Sequence, residues 1–211
     1  MKRMILLLLA LCMLLSFAAC KPDSGTEAAA MYIEPAQLTE EEENIVKLLG
    51  AKENGLNRIF DFVLDDSVQS LQVNTYELVD GAWSLVSGGG GWTFSDSEGR
   101  LALNFDKLIK GLRVALQSEH SNSANSHFSA AEYDFTGMVC ATSSLDNRTE
   151  IVYEQEIPLA IQIITTKNEV RSYGADYFNH PEEYAKQGYE HVYAVTIRFS
   201  QKTVEELSLI D

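Results

Sequence analysis

Residues 58–86 read RIFDFVLDDSVQSLQVNTYELVDGAWSLV, and apolar and polar side chains alternate over most of this stretch. Phe60, Phe62 and Leu64 fall on one face of an extended chain. A period of two is typical of strands with one buried and one solvated face. The Asp-Gly dipeptide at 80–81 favours a hairpin turn. The stretch therefore predicts antiparallel strands joined by short turns.

Strand-like patterns recur through most of the remaining chain. Six further segments are apolar or alternating, and turn residues separate them: 92–94, 101–105, 112–116, 133–141, 157–165 and 192–199. The polar stretches 118–126 and 142–148 are interpreted as loops. Together these patterns indicate about nine strands in a mainly β protein, arranged as an antiparallel β-sandwich. An immunoglobulin-like arrangement is compatible with this count, although the Cys–Trp–Cys signature of that fold is absent.

Two short helices are predicted within this β-rich chain. Thr39 and Glu42 form a capping-box pattern ahead of apolar residues at helical spacing, which predicts an amphipathic N-terminal helix over residues 40–53. Pro181, followed by two glutamates, indicates the start of a short inserted helix. Gly188 is a suitable end for that helix after two turns.

The charge balance restricts the possible partners. The chain has 211 residues, of which 16 are Lys or Arg and 31 are Asp or Glu, so the formal net charge at pH 7 is −15. A surface that binds nucleic acid needs clustered cations, and the longest basic run here is Lys2-Arg3. The charge balance therefore argues against nucleic acid as a partner, and none is predicted. The apolar fraction of 45% is typical of a folded domain rather than a disordered chain.

The first twenty residues have the pattern of an export signal. The basic pair Lys2-Arg3 precedes Met4–Leu15, an uninterrupted apolar run that is too short to span a bilayer. The run leads to Phe17-Ala18-Ala19-Cys20. This tetrapeptide resembles the lipobox of bacterial lipoproteins, in which an aliphatic residue and two small residues precede the lipidated cysteine. Phe17 departs from the usual leucine. The resemblance implies cleavage before Cys20 and lipid attachment to its thiol.

The leader and the composition together predict three segments. Residues 1–19 are a lipoprotein signal peptide, residues 20–38 carry the lipidated Cys20 and a flexible tether, and residues 39–211 form a single β-sandwich domain with its N-terminal helix. The expected location is the extracytoplasmic face of the cell membrane, where acyl chains anchor the protein. The alternative is an ordinary secretory signal cut after Ala19. Cys140 is then the one cysteine of the domain, and its apolar neighbours favour a buried thiol.

Few residues qualify as candidates for a functional site. Trp83 and Trp92 flank the glycine run 88–91, and two outward-facing rings there would form a ligand-binding platform for a glycan or peptide. Burial in the core is the competing interpretation of both rings. The glycine run itself predicts a hairpin loop or an edge bulge, or a loop where the backbone approaches a ligand. His120 and His127 lie in a polar stretch and are too few for a zinc site. No catalytic residue, metal site or cofactor is predicted.

A sandwich with long loops and without a catalytic motif favours a binding or interaction module of the cell envelope. The expected partners are the membrane, through lipid on Cys20, and an envelope protein, glycan or peptide ligand. Two other functions stay open. One is an envelope hydrolase whose active site has no sequence motif. The other is a structural surface protein, which would present an exposed apolar patch or sheet edge. A non-enzymatic role is the favoured one.

Overall fold

Two antiparallel sheets make up the computed structural model, which describes residues 30–48, 56–88 and 91–207. Each sheet has six strands. The mainly β, antiparallel sandwich predicted from the alternating pattern is therefore confirmed. The immunoglobulin-like arrangement stays a prediction.

The described strands and helices are numbered along the chain. The strands are β1 (Tyr32–Pro35), β2 (Leu56–Val63), β3 (Ser70–Val79), β4 (Ala82–Gly88), β5 (Trp92–Thr93), β6 (Glu98–Phe105), β7 (Gly111–Ser118), β8 (Asn122–Phe128), β9 (Val139–Ser144), β10 (Thr149–Glu150), β11 (Ile157–Thr165) and β12 (His191–Ser200). The helices are α1 (Glu40–Leu48), α2 (Pro181–Gln187), α3 (Val204–Leu207) and a 3-10 helix (Ala175–Asn179). Within the described ranges, no helix has the length and apolar content needed to cross a membrane.

The strand order shows how the sandwich is connected. The first sheet has the order β10-β1-β2-β6-β7-β8. The second has the order β4-β3-β12-β11-β9, and β5 also pairs with β3. The predicted hairpin turn at Asp80-Gly81 joins β3 to β4. Both turn residues have positive φ angles, 51° and 82°, as the favoured two-residue hairpin turn requires.

The main core lies between the two sheets, and aromatic rings occupy its centre. Phe60 and Phe62 of β2 are buried there, on the face that the alternation predicts. Phe62 is 1% exposed, and its ring centroid lies 5.3 Å from that of Phe94 and 5.7 Å from that of Phe199. Because Phe62 belongs to the first sheet and Phe199 to the second, this contact joins the two layers.

A smaller apolar cluster covers the outer face of the second sheet. Ile161 and Ile163 of β11 contribute to it, together with Tyr184 of α2. The segment between β11 and β12, which includes the 3-10 helix and α2, folds over this face. All residues of β11 are consequently buried. The predicted inserted helix is confirmed as α2, which starts at Pro181 and ends where Gly188 adopts a φ of 59°.

The N-terminal segment differs from the prediction. A tether is predicted through residue 38, whereas Tyr32–Pro35 form β1 between β2 and β10. Ile33 is fully buried, so the sandwich begins before residue 39. A strand of four residues has no period of its own, and pairing with residues 60–63 defines it.

Helix α1 begins as predicted. The backbone N–H of Thr39 donates to Glu42 Oε2 at 2.8 Å, and the Glu42 N–H donates back to Thr39 Oγ1 at 3.3 Å. This reciprocal pair is the predicted capping box. The helix is described to Leu48, and the remainder of the predicted range 40–53 lies outside the described residues.

Two predicted loops contain strands. The loop predicted at 118–126 is wrong from Asn122 onward, because β8 runs from there along the edge of the first sheet. Both faces of β8 are largely exposed, so its sequence lacks alternation, and hydrogen bonding to β7 defines it. The strand predicted at 133–141 begins only at Val139, and β9 continues to Ser144 into the second predicted loop.

Candidate functional site

The two candidate tryptophans lie in different parts of the sandwich. Trp83 packs in the outer cluster of the second sheet, where its ring stacks on Phe178 with a centroid distance of 5.0 Å. Its Nε1–H donates to the Phe178 carbonyl at 2.7 Å. Trp92 packs against the main core between the sheets. The two rings therefore do not form a shared platform for a ligand.

The glycine run lies between β4 and β5, which pair one after the other with the same side of β3. Gly88 ends β4, Gly91 precedes β5, and both of these strands pair with β3. Gly89 and Gly90 lie outside the described residues. The β3–β4 pairing shifts register between Thr75 and Tyr76, which places a bulge in β4 at Val86 rather than in the glycines, where it was predicted.

The candidate histidines belong to the hairpin that joins β7 to β8. His120 Nδ1 lies 2.8 Å from Asp96 Oδ1, and this hydrogen bond raises the pKa of His120. His127 is exposed on β8, and Cys140 is half-buried against the main core. Among the residues that the structure describes, no group of three or more His, Cys, Asp or Glu side chains is placed to bind a metal ion.

A pocket at one end of the first sheet collects cations, and we refer to it as the cationic pocket. It has a volume of about 520 Å³ and is formed by β6, the β6–β7 turn, β7 and β8. Its polar lining consists of Lys107, Lys110, Arg113, Asn104, Ser126 and Asp106. Three cations and one acid thus line a single opening in a chain whose net charge is −15.

The sheet register explains how these side chains meet. Asn104 of β6, Arg113 of β7 and Ser126 of β8 are direct cross-strand neighbours. Direct neighbours in antiparallel strands present their side chains on the same face of the sheet. Lys107 and Lys110 lie in the turn between β6 and β7, where the Lys110 N–H donates to the Lys107 carbonyl at 2.9 Å. The turn therefore adds its two lysines to the row formed by the strands.

Two of the three cations have no acidic partner among the residues that the structure describes. In the described part of the chain, no carboxylate oxygen lies within 4.0 Å of the charged nitrogens of Lys107 or Arg113. Lys110 lies over the ring of Phe135, with its Nζ 5.1 Å from the ring centroid. By contrast, the Arg100 guanidinium contacts Glu42 at 2.6 Å. The cationic pocket therefore presents positively charged side chains with which an anion can pair.

An exposed aromatic ring forms one wall of the cationic pocket. Phe128 is 74% exposed and pairs directly with Gly111 across β7 and β8. A Cβ atom on residue 111 would lie only 2.7 Å from Phe128 Cδ1, so the ring occupies space that glycine leaves open. A ring beside cations suits a ligand that has apolar groups as well as negative charge.

The second sheet holds the lysine-bearing turn in place through Gln162. This side chain is fully buried. It accepts a hydrogen bond from the Leu108 N–H at 2.8 Å and donates to the Asp106 carbonyl at 2.8 Å. It also donates to Thr142 Oγ1 at 3.1 Å. These bonds fix the turn against β11 and so orient the lysines on either side of Leu108.

The amino-acid sequence alone did not predict the cationic pocket. The segment DKLIKGLR, residues 106–113, has three cations in eight residues, and this is the signal that the sequence offers. The cations are spaced three residues apart rather than contiguous, so they do not form a basic run. Their convergence also depends on β8, which the sequence places in a loop.

The arrangement can bind and orient an anionic ligand through an amide, a hydroxyl and two cations that have no acidic partner among the described residues. Comparison with known proteins assigns the chain to no family. No protein-family model, curated protein or solved structure matches the chain. The proposed function therefore rests on the fold, the lipobox-like sequence and the cationic pocket.

Proposed function

We propose that this chain is a lipid-anchored binding module on the extracytoplasmic face of a bacterial membrane, and that its ligand is anionic. The observation that carries the ligand class is the presence of Lys107 and Arg113 in one pocket without acidic partners among the described residues. The net charge of −15 means that most of the surface repels anions. A pocket lined by three cations then selects where an anion binds and in which orientation.

The anchor is supported by the lipobox-like sequence Phe17-Ala18-Ala19-Cys20. We expect the wild-type chain, expressed in a bacterium that is fed labelled palmitate, to carry the label. The Cys20→Ser chain should be unlabelled because it has no thiol at the acylated position. Cys140→Ser is the matched control and should be labelled as the wild type is. An unlabelled wild-type chain or a labelled Cys20→Ser chain would contradict the anchor.

Anion binding is tested with the full mature chain, residues 20–211, carrying Cys20→Ser so that it can be purified without detergent. The probes are a short polyphosphate and a hexaglutamate peptide, titrated calorimetrically at low and high salt. We expect saturable binding that weakens as salt increases, because screening reduces the attraction between exposed charges. The double variant Lys107→Glu/Arg113→Glu should bind about tenfold more weakly or worse, since each lost contact is worth up to about 1 kcal/mol and is replaced by repulsion.

The matched control is Arg171→Glu/Lys202→Glu, which changes the net charge by the same amount. Both side chains are exposed, and neither lines the cationic pocket. Its affinity for the probes should stay within about twofold of the unsubstituted value, because distant exposed charges are screened. Equal losses in the two double variants would show that binding follows net charge rather than this pocket. Absence of saturable binding to either probe would also overturn the proposal.

A further inference from the structure

Strand β8 is an edge strand with an open side. It pairs with β7 over seven residues in continuous register, from Asn122 to Phe128. Within the described ranges, no strand pairs with its other side. An edge strand presents a row of unpaired backbone N–H and C=O groups, which can pair with another extended chain.

The hydrogen bonds that flank β8 show which of its residues face the open side. The Ser118 N–H donates to the Ser121 carbonyl at 2.8 Å, and the Ser129 N–H donates to the Lys110 carbonyl at 3.2 Å. In an antiparallel pair, hydrogen-bonded positions alternate with positions whose backbone groups point away. Ser121 is bonded to β7 and Ser129 to the residue just before β7, so the odd-numbered residues between them also face β7. The residues whose backbone N–H and C=O groups face the open side are Asn122, Ala124, Ser126 and Phe128.

The edge of β8 lacks the features that usually prevent pairing. Its sequence is NSANSHF, without proline, lysine or an acidic residue, and its pairing with β7 has no bulge. Such features protect the exposed edges of many sheets. Strand β4, at the edge of the second sheet, does have a bulge in its pairing with β3.

The cationic pocket indicates which extended chain fits this edge. Arg113 lies directly opposite Ser126, and Ser126 is one of the residues whose backbone faces the open side. A new strand beside β8 would lie about 10 Å from β7, two strand spacings away. The small side chain of Ser126 leaves room for the Arg113 guanidinium and an acidic side chain of the new strand to meet across it. The two lysines of the turn and the ring of Phe128 lie at the same end.

We propose that the chain binds an acidic peptide segment in extended conformation, which adds to the first sheet as a strand beside β8. Backbone hydrogen bonds to β8 hold the peptide, and acidic side chains at alternate positions bind in the cationic pocket. This inference rests on the proposed function and specifies its ligand as a peptide.

The probe is the acetylated and amidated heptapeptide TEVEVET, titrated into the mature chain with Cys20→Ser. Ala124→Pro removes one outward-pointing N–H and leaves every cation in place, whereas Ala124→Thr keeps the N–H. We expect the peptide to bind Ala124→Pro about tenfold more weakly or worse than Ala124→Thr, because proline blocks pairing at the edge. Polyphosphate should bind both variants equally, since it makes no strand.

Two N-methylated peptides test backbone pairing without changing the protein. One peptide is methylated on the backbone nitrogens of the three glutamates, and the other on those of the two valines between them. The peptide whose methyl groups replace the N–H groups that face β8 should not bind. Binding of both methylated peptides at full affinity, together with loss in Lys107→Glu/Arg113→Glu, would overturn strand addition and leave the anion site intact. Self-association of the chain that Ala124→Pro abolishes would overturn it in favour of a second copy. Failure of both peptide and polyphosphate to bind would remove the proposed function as well.

Discussion

Gln162→Leu is expected to lower the free energy of unfolding by about 2–5 kcal/mol, because it removes the hydrogen bonds by which a buried amide holds two backbone groups of the β6–β7 turn, at about 1–3 kcal/mol each. The N–H of Leu108 and the carbonyl of Asp106 both bond to the Gln162 side chain at 2.8 Å, and Gln162 itself is fully buried. Denaturant titration measures the loss. The same variant should bind polyphosphate more weakly, since the turn that carries Lys107 and Lys110 is no longer fixed to β11.

Gln117→Leu is the matched control for this prediction. Gln117 is exposed on β7, so the same chemical change there should alter stability by no more than about 0.5 kcal/mol. Equal stabilities of the two variants would contradict the assigned role of Gln162. Unchanged polyphosphate binding by Gln162→Leu would show that the turn keeps its shape without this side chain.

Phe62→Ala is expected to destabilise the fold by about 3–5 kcal/mol, the usual cost of removing a buried phenylalanine ring. The ring contacts Phe94 and Phe199 and fills the space above Gly99, where a Cβ would lie 2.7 Å from Phe62 Cζ. Its removal therefore leaves a cavity between the two sheets. Thermal and denaturant unfolding measure the effect.

Phe128→Ala is the matched control, because it removes a phenylalanine ring from an exposed position. Phe128 is 74% exposed, and its ring lies against its cross-strand partner Gly111. Such cross-strand contacts are worth about 0.2–1 kcal/mol, so the stability loss should stay below about 1 kcal/mol. A loss as large as that of Phe62→Ala would mean that β8 supports the core despite its exposure.

The long strands of the sandwich could be predicted because burial on one face leaves a period of two in the sequence. Phe60 and Phe62 illustrate this, and the all-apolar neighbours of Gln162 in β11 mark a strand buried on both faces. β8 could not be predicted in this way, since a strand exposed on both faces carries no hydrophobic period. β1 could not be predicted because four residues are too few for a period to appear.

The cationic pocket depends on the elements that were hardest to predict. Lys107 and Arg113 are visible in the sequence as isolated cations, but their meeting requires the β6–β7 turn and the register of β7 with β8. Gln162 is more than fifty residues away from the turn that it supports. Only the three-dimensional arrangement shows that this glutamine positions a surface site. The tryptophans, by contrast, were conspicuous in the sequence because of their size and their glycine neighbours.

The early start of β1 limits how far the sandwich can lie from a membrane anchor at Cys20. With lipid on Cys20, twelve residue steps separate the anchored thiol from Tyr32, and a chain spans at most about 3.6 Å per residue. The tether between the acylated thiol of Cys20 and Tyr32 is therefore no longer than roughly 43 Å. Strand β8 lies four strands away from β1 across the first sheet, or about 19 Å at the usual strand spacing. If Cys20 is lipidated, a segment held beside β8 therefore stays within the extended length of the tether plus the dimensions of the domain from the bilayer surface. The protein would sample partners that project from the same membrane or that enter this layer from outside.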